Sequence, residues 1–171
     1  MKQKIIYLTR GATVAALYVI LTYLAAAFGL DKGVIQFRLS EALCVLPIFL
    51  PEAVPGLFIG CLIANLLTGS IVWDVIFGSI ATLIGALGAR MLRGLSKKLI
   101  FLATLPTVVA NAVIVPFVLK YAYEVDDLIP YMMLTVGIGE IVMAGCVGTA
   151  LYFAMINNGY LKKLAAPTSK K

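Results

Sequence analysis

A chain of 171 residues that is 62% hydrophobic and 13% charged, with a mean hydropathy of +1.03, lacks the polar surface of a soluble domain, in which about a quarter of residues are charged. Its solvent is lipid, where the backbone must satisfy its own hydrogen bonds, and that selects helices. The net charge of +6 would suggest nucleic acid in a soluble protein, but its placement argues for a membrane topology signal instead, and the lack of histidine excludes histidine-based metal sites and His-centred triads.

A bilayer core about 30 Å thick needs about 20 apolar residues per helix, so the length allows about six spans and leaves no room for a soluble domain. The first apolar segment, residues 10–28, is too long for a cleavable signal peptide and leads to no small-residue cleavage site. In it, Gly11, Ala12, Ala15 and Ala16 form two small-xxx-small pairs, a face that lets another helix come close, within the bundle or from a partner membrane protein. The second segment, 37–50, would reach only about 21 Å as an α-helix, so it is expected to be short or to begin inside a re-entrant loop. Segments 52–69, 72–93, 97–121 and 129–158 complete the set, and the connections at 29–33, 50–52, 68–70, 93–98 and 124–127 carry turn or charge signals. The expectation is one all-α domain over residues 1–171, a six-helix integral membrane bundle.

Lys and Arg orient such a bundle, because they accumulate on the cytoplasmic side. With the N-terminus inside, Lys2, Lys4, Arg10, Arg90, Arg93, Lys97, Lys98, Lys162, Lys163, Lys170 and Lys171 are cytoplasmic, and only Lys32, Arg38 and Lys120 fall outside. Both termini are then expected in the cytoplasm, in a multi-pass protein of the cell membrane.

Polar groups within spans are costly and each needs a reason. Arg38, Glu41, Asn65, Trp73, Asp74, Asn111 and Glu140 all fall in the outer half of the bilayer in this topology, while the inner half is apolar apart from basic residues at the interface. A channel or proton relay would spread polar groups along its whole path, whereas a binding cup needs them on one side only. Local explanations compete: an Arg38–Glu41 pair, Asp74 at a helix N-terminus, Asn65 and Asn111 as interhelical bonds, and Trp73, Tyr121 and Tyr123 as interface aromatics. Glu140 has no basic neighbour in its own segment, so it must be protonated, paired with Arg38, or waiting for a ligand. Gly137 and Gly139 beside it permit close backbone approach.

Cys44, Cys61 and Cys146 sit in apolar segments without metal or redox spacing. The chain contains no P-loop, H-E-x-x-H or G-x-S-x-G motif and no Asp-rich cluster. No enzymatic activity, cofactor or metal is expected, and an energised step would need partner proteins.

Three stretches carry a family likeness: Gln36-Phe37-Arg38-Leu39-Ser40-Glu41-Ala42-Leu43 followed by Leu46-Pro47, Pro55-Gly56-Leu57-Phe58-Ile59-Gly60-Cys61 leading to Asn65, and Asp74-Val75-Ile76-Phe77-Gly78-Ser79-Ile80-Ala81-Thr82. They resemble the QueT family of queuosine-precursor transporters; the likeness covers nearly the whole chain and is densest from 36 to 82. The resemblance implies a substrate-binding S component of an energy-coupling factor importer, with a six-helix fold and a ligand site near the extracellular side. It further implies docking through a small-residue motif on the first helix, matched here by Ala12-Thr13-Val14-Ala15-Ala16, to a transmembrane T component that carries two cytoplasmic ATPases. The implied ligand is a 7-deazaguanine such as queuine or preQ1. Glu140 or Glu41 would then accept from its two-donor edge, and Arg38 or Asn111 would donate to its carbonyl. Trp73, Phe37 or Tyr121 would stack on the ring, a contact typically favourable by about 1–3 kcal/mol. Asp74 would hold an aminomethyl cation, with Asn65 also in the binding set. An S component for riboflavin or thiamine, a stand-alone secondary transporter or channel, and a structural membrane protein are the competing readings.

Overall fold

The computed structural model describes residues 2–30 and 36–158, and every regular element among them is helical. In order they are α1 (Lys2–Ala27), a 3₁₀ segment (Leu39–Ile48), α2 (Ala53–Leu67), α3 (Val72–Met91), a 3₁₀ segment (Lys97–Thr104) that runs into α4 (Leu105–Tyr121), and α5 (Ile129–Glu140), which continues through a π-helical stretch (Ile141–Val147) into α6 (Gly148–Asn157). Lys2–Ala27, Val72–Gly94, Lys97–Tyr121 and Ile129–Asn157 are long and apolar enough to cross a membrane, while Leu39–Ile48 and Ala53–Leu67 are apolar but shorter. The chain is thus a multi-pass membrane protein, and α1 begins at Lys2, eight residues ahead of the start expected at residue 10. Asp31, Lys32, Gly33, Lys162, Lys163, Lys170 and Lys171 lie outside the described residues.

Two helix ends are fixed by glycine. After α1, Gly29 adopts φ +68°, and Leu30 N–H donates to Ala25 O at 2.9 Å while Gly29 N–H donates to Ala26 O at 3.0 Å. After α2, Gly69 adopts φ +74°, with Ser70 N–H bonded to Asn65 O at 2.9 Å. Only a residue without Cβ takes this left-handed turn at no cost, and the bonds satisfy carbonyls the helix leaves open.

The Leu39–Ile48 segment is the axis of the bundle. It touches α1, α2, α3, α6 and the π-helical stretch, and Ser40 through Ile48 are all buried. Its side chains join both apolar cores, one with Val14, Tyr18 and Leu57, the other with Ala89, Ile100 and Tyr152. A segment apolar on every face belongs in an interior. Ten residues at about 2.0 Å each reach only about 20 Å, short of the bilayer. Tyr18, nine residues before the end of α1, bonds Glu41, two residues into the segment. The segment therefore starts about 10 Å below the end of α1, and that shortfall leaves room above it.

Small residues let the surrounding helices close in. A Cβ at Gly56 would stand 2.6 Å from Gly11 O, and one at Gly60 would stand 3.0 Å from Ala15 Cα, so α1 and α2 meet backbone to backbone. Gly85 does the same for α3 against Thr107 of α4, where a Cβ would lie 2.8 Å from Thr107 Cα.

Candidate ligand-binding site

The space above the short segment is a cavity of about 410 Å³ at the end of the bundle where α1, α2 and α4 finish and α3 begins. Thr22 and Ala25 of α1, Gln36 and Arg38 of the extended entry, Asn65, Thr68, Gly69 and Ser70 at the α2 end, Asp74 of α3, and Val115, Leu119 and Tyr123 on the α4 side line it. Its wall is one hydrogen-bonded chain. Arg38 Nη2 donates to Asn65 Oδ1 at 2.8 Å, and Asn65 Nδ2 donates to the Asp74 carbonyl at 3.3 Å. Tyr123 OH donates to Asp74 Oδ2 at 3.1 Å and accepts from Ile71 N–H at 3.3 Å. Burial holds the Tyr123 phenol above its usual range, so it stays a donor. Gly78 keeps the wall open: a Cβ there would stand 3.1 Å from Asn65 Nδ2 and 3.3 Å from Asp74 Oδ1.

Beneath the cavity lies a second, dehydrated polar group. Glu41 is fully buried; its Oε1 accepts from Tyr18 OH at 2.5 Å and its Oε2 from Cys44 Sγ at 3.0 Å. Ser40 and Thr22 join hydroxyls at 2.8 Å. Asn111 and Glu140 are also buried, and Glu140 lies in the field of Glu41, Arg38 and Asn111. Neither amide atom of Asn111 and not Oε2 of Glu140 meets a partner in hydrogen-bonding geometry. The hydroxyls of Thr107 and Thr149 are the other buried side-chain atoms without a partner among the described residues; buried polar atoms are almost always bonded, so the amide and carboxylate together mark an unfinished site.

Of the residues singled out in the sequence, Arg38, Asn65 and Asp74 come together on the cavity wall, and Glu41, Asn111 and Glu140 come together below it. Arg38 and Glu41 do not pair: among the described residues the sole ion pair is Arg10–Glu52 at 3.3 Å, at the opposite end of the bundle. Phe37 sits half-buried between two wall residues, its N–H bonded to Leu30 O at 2.8 Å. Trp73 and Tyr121 are 56% and 74% exposed. They line a separate apolar groove of about 530 Å³ between α3 and α4, where Trp73 stacks on Phe77 and Tyr121 on Phe117. The structure does not bring them to the polar wall. The small residues of α1 divide: Gly11 and Ala15 meet α2, while Ala12 and Ala16 remain exposed along an open groove of about 610 Å³.

Sequence reasoning missed Tyr18, Thr22, Gln36, Thr68 and Ser70 and took Tyr123 for an interface aromatic. The first two lie on the inward stripe of α1, whose buried positions are Val14, Tyr18, Thr22 and Ala25, a face that apolar residues all round leave unmarked in the sequence. Tyr123 lies beyond the helix end, where periodicity says nothing.

A multi-pass bundle with a solute-sized polar cavity at one end has the architecture of a membrane transport protein. Within that class the chain belongs to the QueT transporter family, which it matches over residues 8–157. It is similar to the queuosine precursor transporter QueT of Lactococcus lactis subsp. cremoris (strain MG1363), 45% identical over 74 residues, 43% of each chain. The matched part thus spans less than half of that relative's length. No solved structure matches the chain.

Proposed function

We propose that this protein is the substrate-binding S component of an energy-coupling factor importer for a queuosine precursor, a 7-deazaguanine such as queuine or preQ1. The carrying observation is a polar cavity of about 410 Å³ in a chain of the QueT transporter family. That volume suits a small heterocycle, since ligand pockets run from about 300 Å³ upward. A carboxylate, Asp74, keeps Oδ1 next to the open space over Gly78, a position suited to the ammonium of an aminomethyl substituent. Arg38 and Asn65 offer donors beside it.

In this reading the Arg38 end faces outward and both termini are cytoplasmic, an orientation the distribution of Lys and Arg supports. The chain has no P-loop, so ATP hydrolysis falls to partner subunits reached through a transmembrane T component. The exposed Ala12 and Ala16, beside the groove lined by Tyr7, Leu8, Ile20 and Ile59, are the docking face. At Ala12 and Ala16 themselves a partner helix can approach the α1 backbone closely, with the larger apolar side chains flanking it.

Calorimetric titration of the purified protein in detergent with queuine and preQ1, using riboflavin and thiamine as controls, tests the ligand class. Saturable binding of a deazaguanine alone is expected. Binding of a control vitamin instead would overturn the substrate and keep the S-component fold.

A further inference from the structure

Resting on the reading just given, we infer that the hydrogen-bonding edge of the base is read at the inner end of the cavity, by Asn111 and Glu140 acting as a pair, and that the ring substituent stays beside Asp74. The partners already engaged decide between the candidates. Glu41 is already engaged, because Tyr18 and Cys44 each donate to one of its two oxygens. Arg38 gives one of its N–H groups to Asn65 and keeps others for the cavity. Besides the hydroxyls of Thr107 and Thr149, the buried unmade bonds belong to Asn111 and Glu140: an amide donor, an amide acceptor and a carboxylate oxygen.

Their depth and order fit one edge. Asn111 lies one turn below Val115, which lines the cavity, and on the same face of α4. Glu140 lies eleven residues into the rod that starts at Ile129, and Asn111 ten residues from the α4 end at Tyr121, so both sit about 15 Å down. Side by side they present one N–H donor and adjoining acceptors. The complementary edge is a 2-amino-4-oxo-pyrimidine: its carbonyl accepts from Asn111 Nδ2, and its ring N–H and exocyclic amine donate to Glu140. An edge with a ring-nitrogen acceptor in place of the N–H would set a lone pair against the carboxylate. Arg38 stands at the entrance: it lines the cavity, and its charge acts on Asp74 above and on Glu41 and Glu140 below. The ligand enters edge first past Arg38, leaving its substituent beside Asp74.

Titration of the full chain in detergent with preQ1, 7-deazaguanine and 7-deazaadenine tests this without any substitution. 7-Deazaguanine should bind, and 7-deazaadenine should bind about 100-fold more weakly or not at all, because a site built to hydrogen-bond an N–H rejects the analogue that lacks it. Glu140→Gln and Asn111→Asp, isosteric changes checked by thermal melting, should each weaken both guanine-type ligands by at least about tenfold, since each turns one matched contact into a mismatch. Asp74→Asn should weaken preQ1 alone. Equal binding of the two unsubstituted bases, or unchanged affinity in folded Glu140→Gln, would overturn the inner pair while leaving a deazaguanine-binding protein in place. No binding of preQ1 or 7-deazaguanine to the unmutated protein would overturn the parent reading and this one with it.

Discussion

The two ends of the bundle treat the same kinds of residue in opposite ways. At the Arg38 end, charged and amide groups border open space and leave bonds unmade. At the other end, Arg90 Nη1 donates to the carbonyls of Pro47 and Ile48 at 3.1 and 3.3 Å, closing the last turn of the axial segment as a cation at a helix C-terminus should. Arg10 and Glu52 pair beside it. One end spends its polar groups on itself; the other holds them for something else. The cause is a length: an axial segment of ten residues reaches the closed end and falls short of the open one.

If that contrast is right, substitutions at the two ends separate binding from stability. The largest effect belongs to neither end. Ala12→Leu with Ala16→Leu should abolish co-purification with the T component and ATPases while leaving ligand affinity intact. Arg10→Ala strands Glu52, which is almost fully buried, and should lower stability by about 3 kcal/mol, as breaking a buried pair does; melting checks it, and affinity should stay within about twofold, well under one kcal/mol. Gly78→Leu should act mainly on binding, cutting affinity about 10- to 100-fold by overfilling the cavity wall, with about 1–3 kcal/mol of stability lost to the same crowding. Arg90→Met should cost about 1–2 kcal/mol of stability, again without touching the ligand. Smallest is Tyr123→Phe, which removes a partly exposed bond to Asp74. It should appear chiefly as faster amide exchange at residues 122–128, from the loss of about 1 kcal/mol.

The sequence made the six segments legible because apolar length is what a bilayer measures, and it made the polar asymmetry legible because buried charge is rare there. It concealed helical phase. Segments apolar all round have no face to read, so nothing distinguished inward Tyr18 from outward Tyr121. The 3₁₀ winding of Leu39–Ile48 was equally hidden, although Pro47 and the short length both pointed to something other than a standard span. The residues that mattered most were those whose partners come from other helices, such as Asn65 and Asp74, and spacing along one segment cannot supply those.

The π-helical stretch after Glu140 acts as a phase corrector. Glu140, Ala144, Gly148 and Tyr152 are spaced by four and are all buried. In an unbroken α-helix each such step overshoots by about 40°, so Tyr152 would point about 120° away from Glu140. The wider turn of Ile141–Val147 absorbs the drift, letting Glu140 face the polar group while Tyr152 stacks on Phe49 at 5.1 Å. A one-residue deletion in this stretch would restore α-helical winding and still leave the two ends within about 20° of each other, whereas a one-residue insertion would turn them about 100° out of step. Adding a single codon here should therefore be tolerated far less well than removing one.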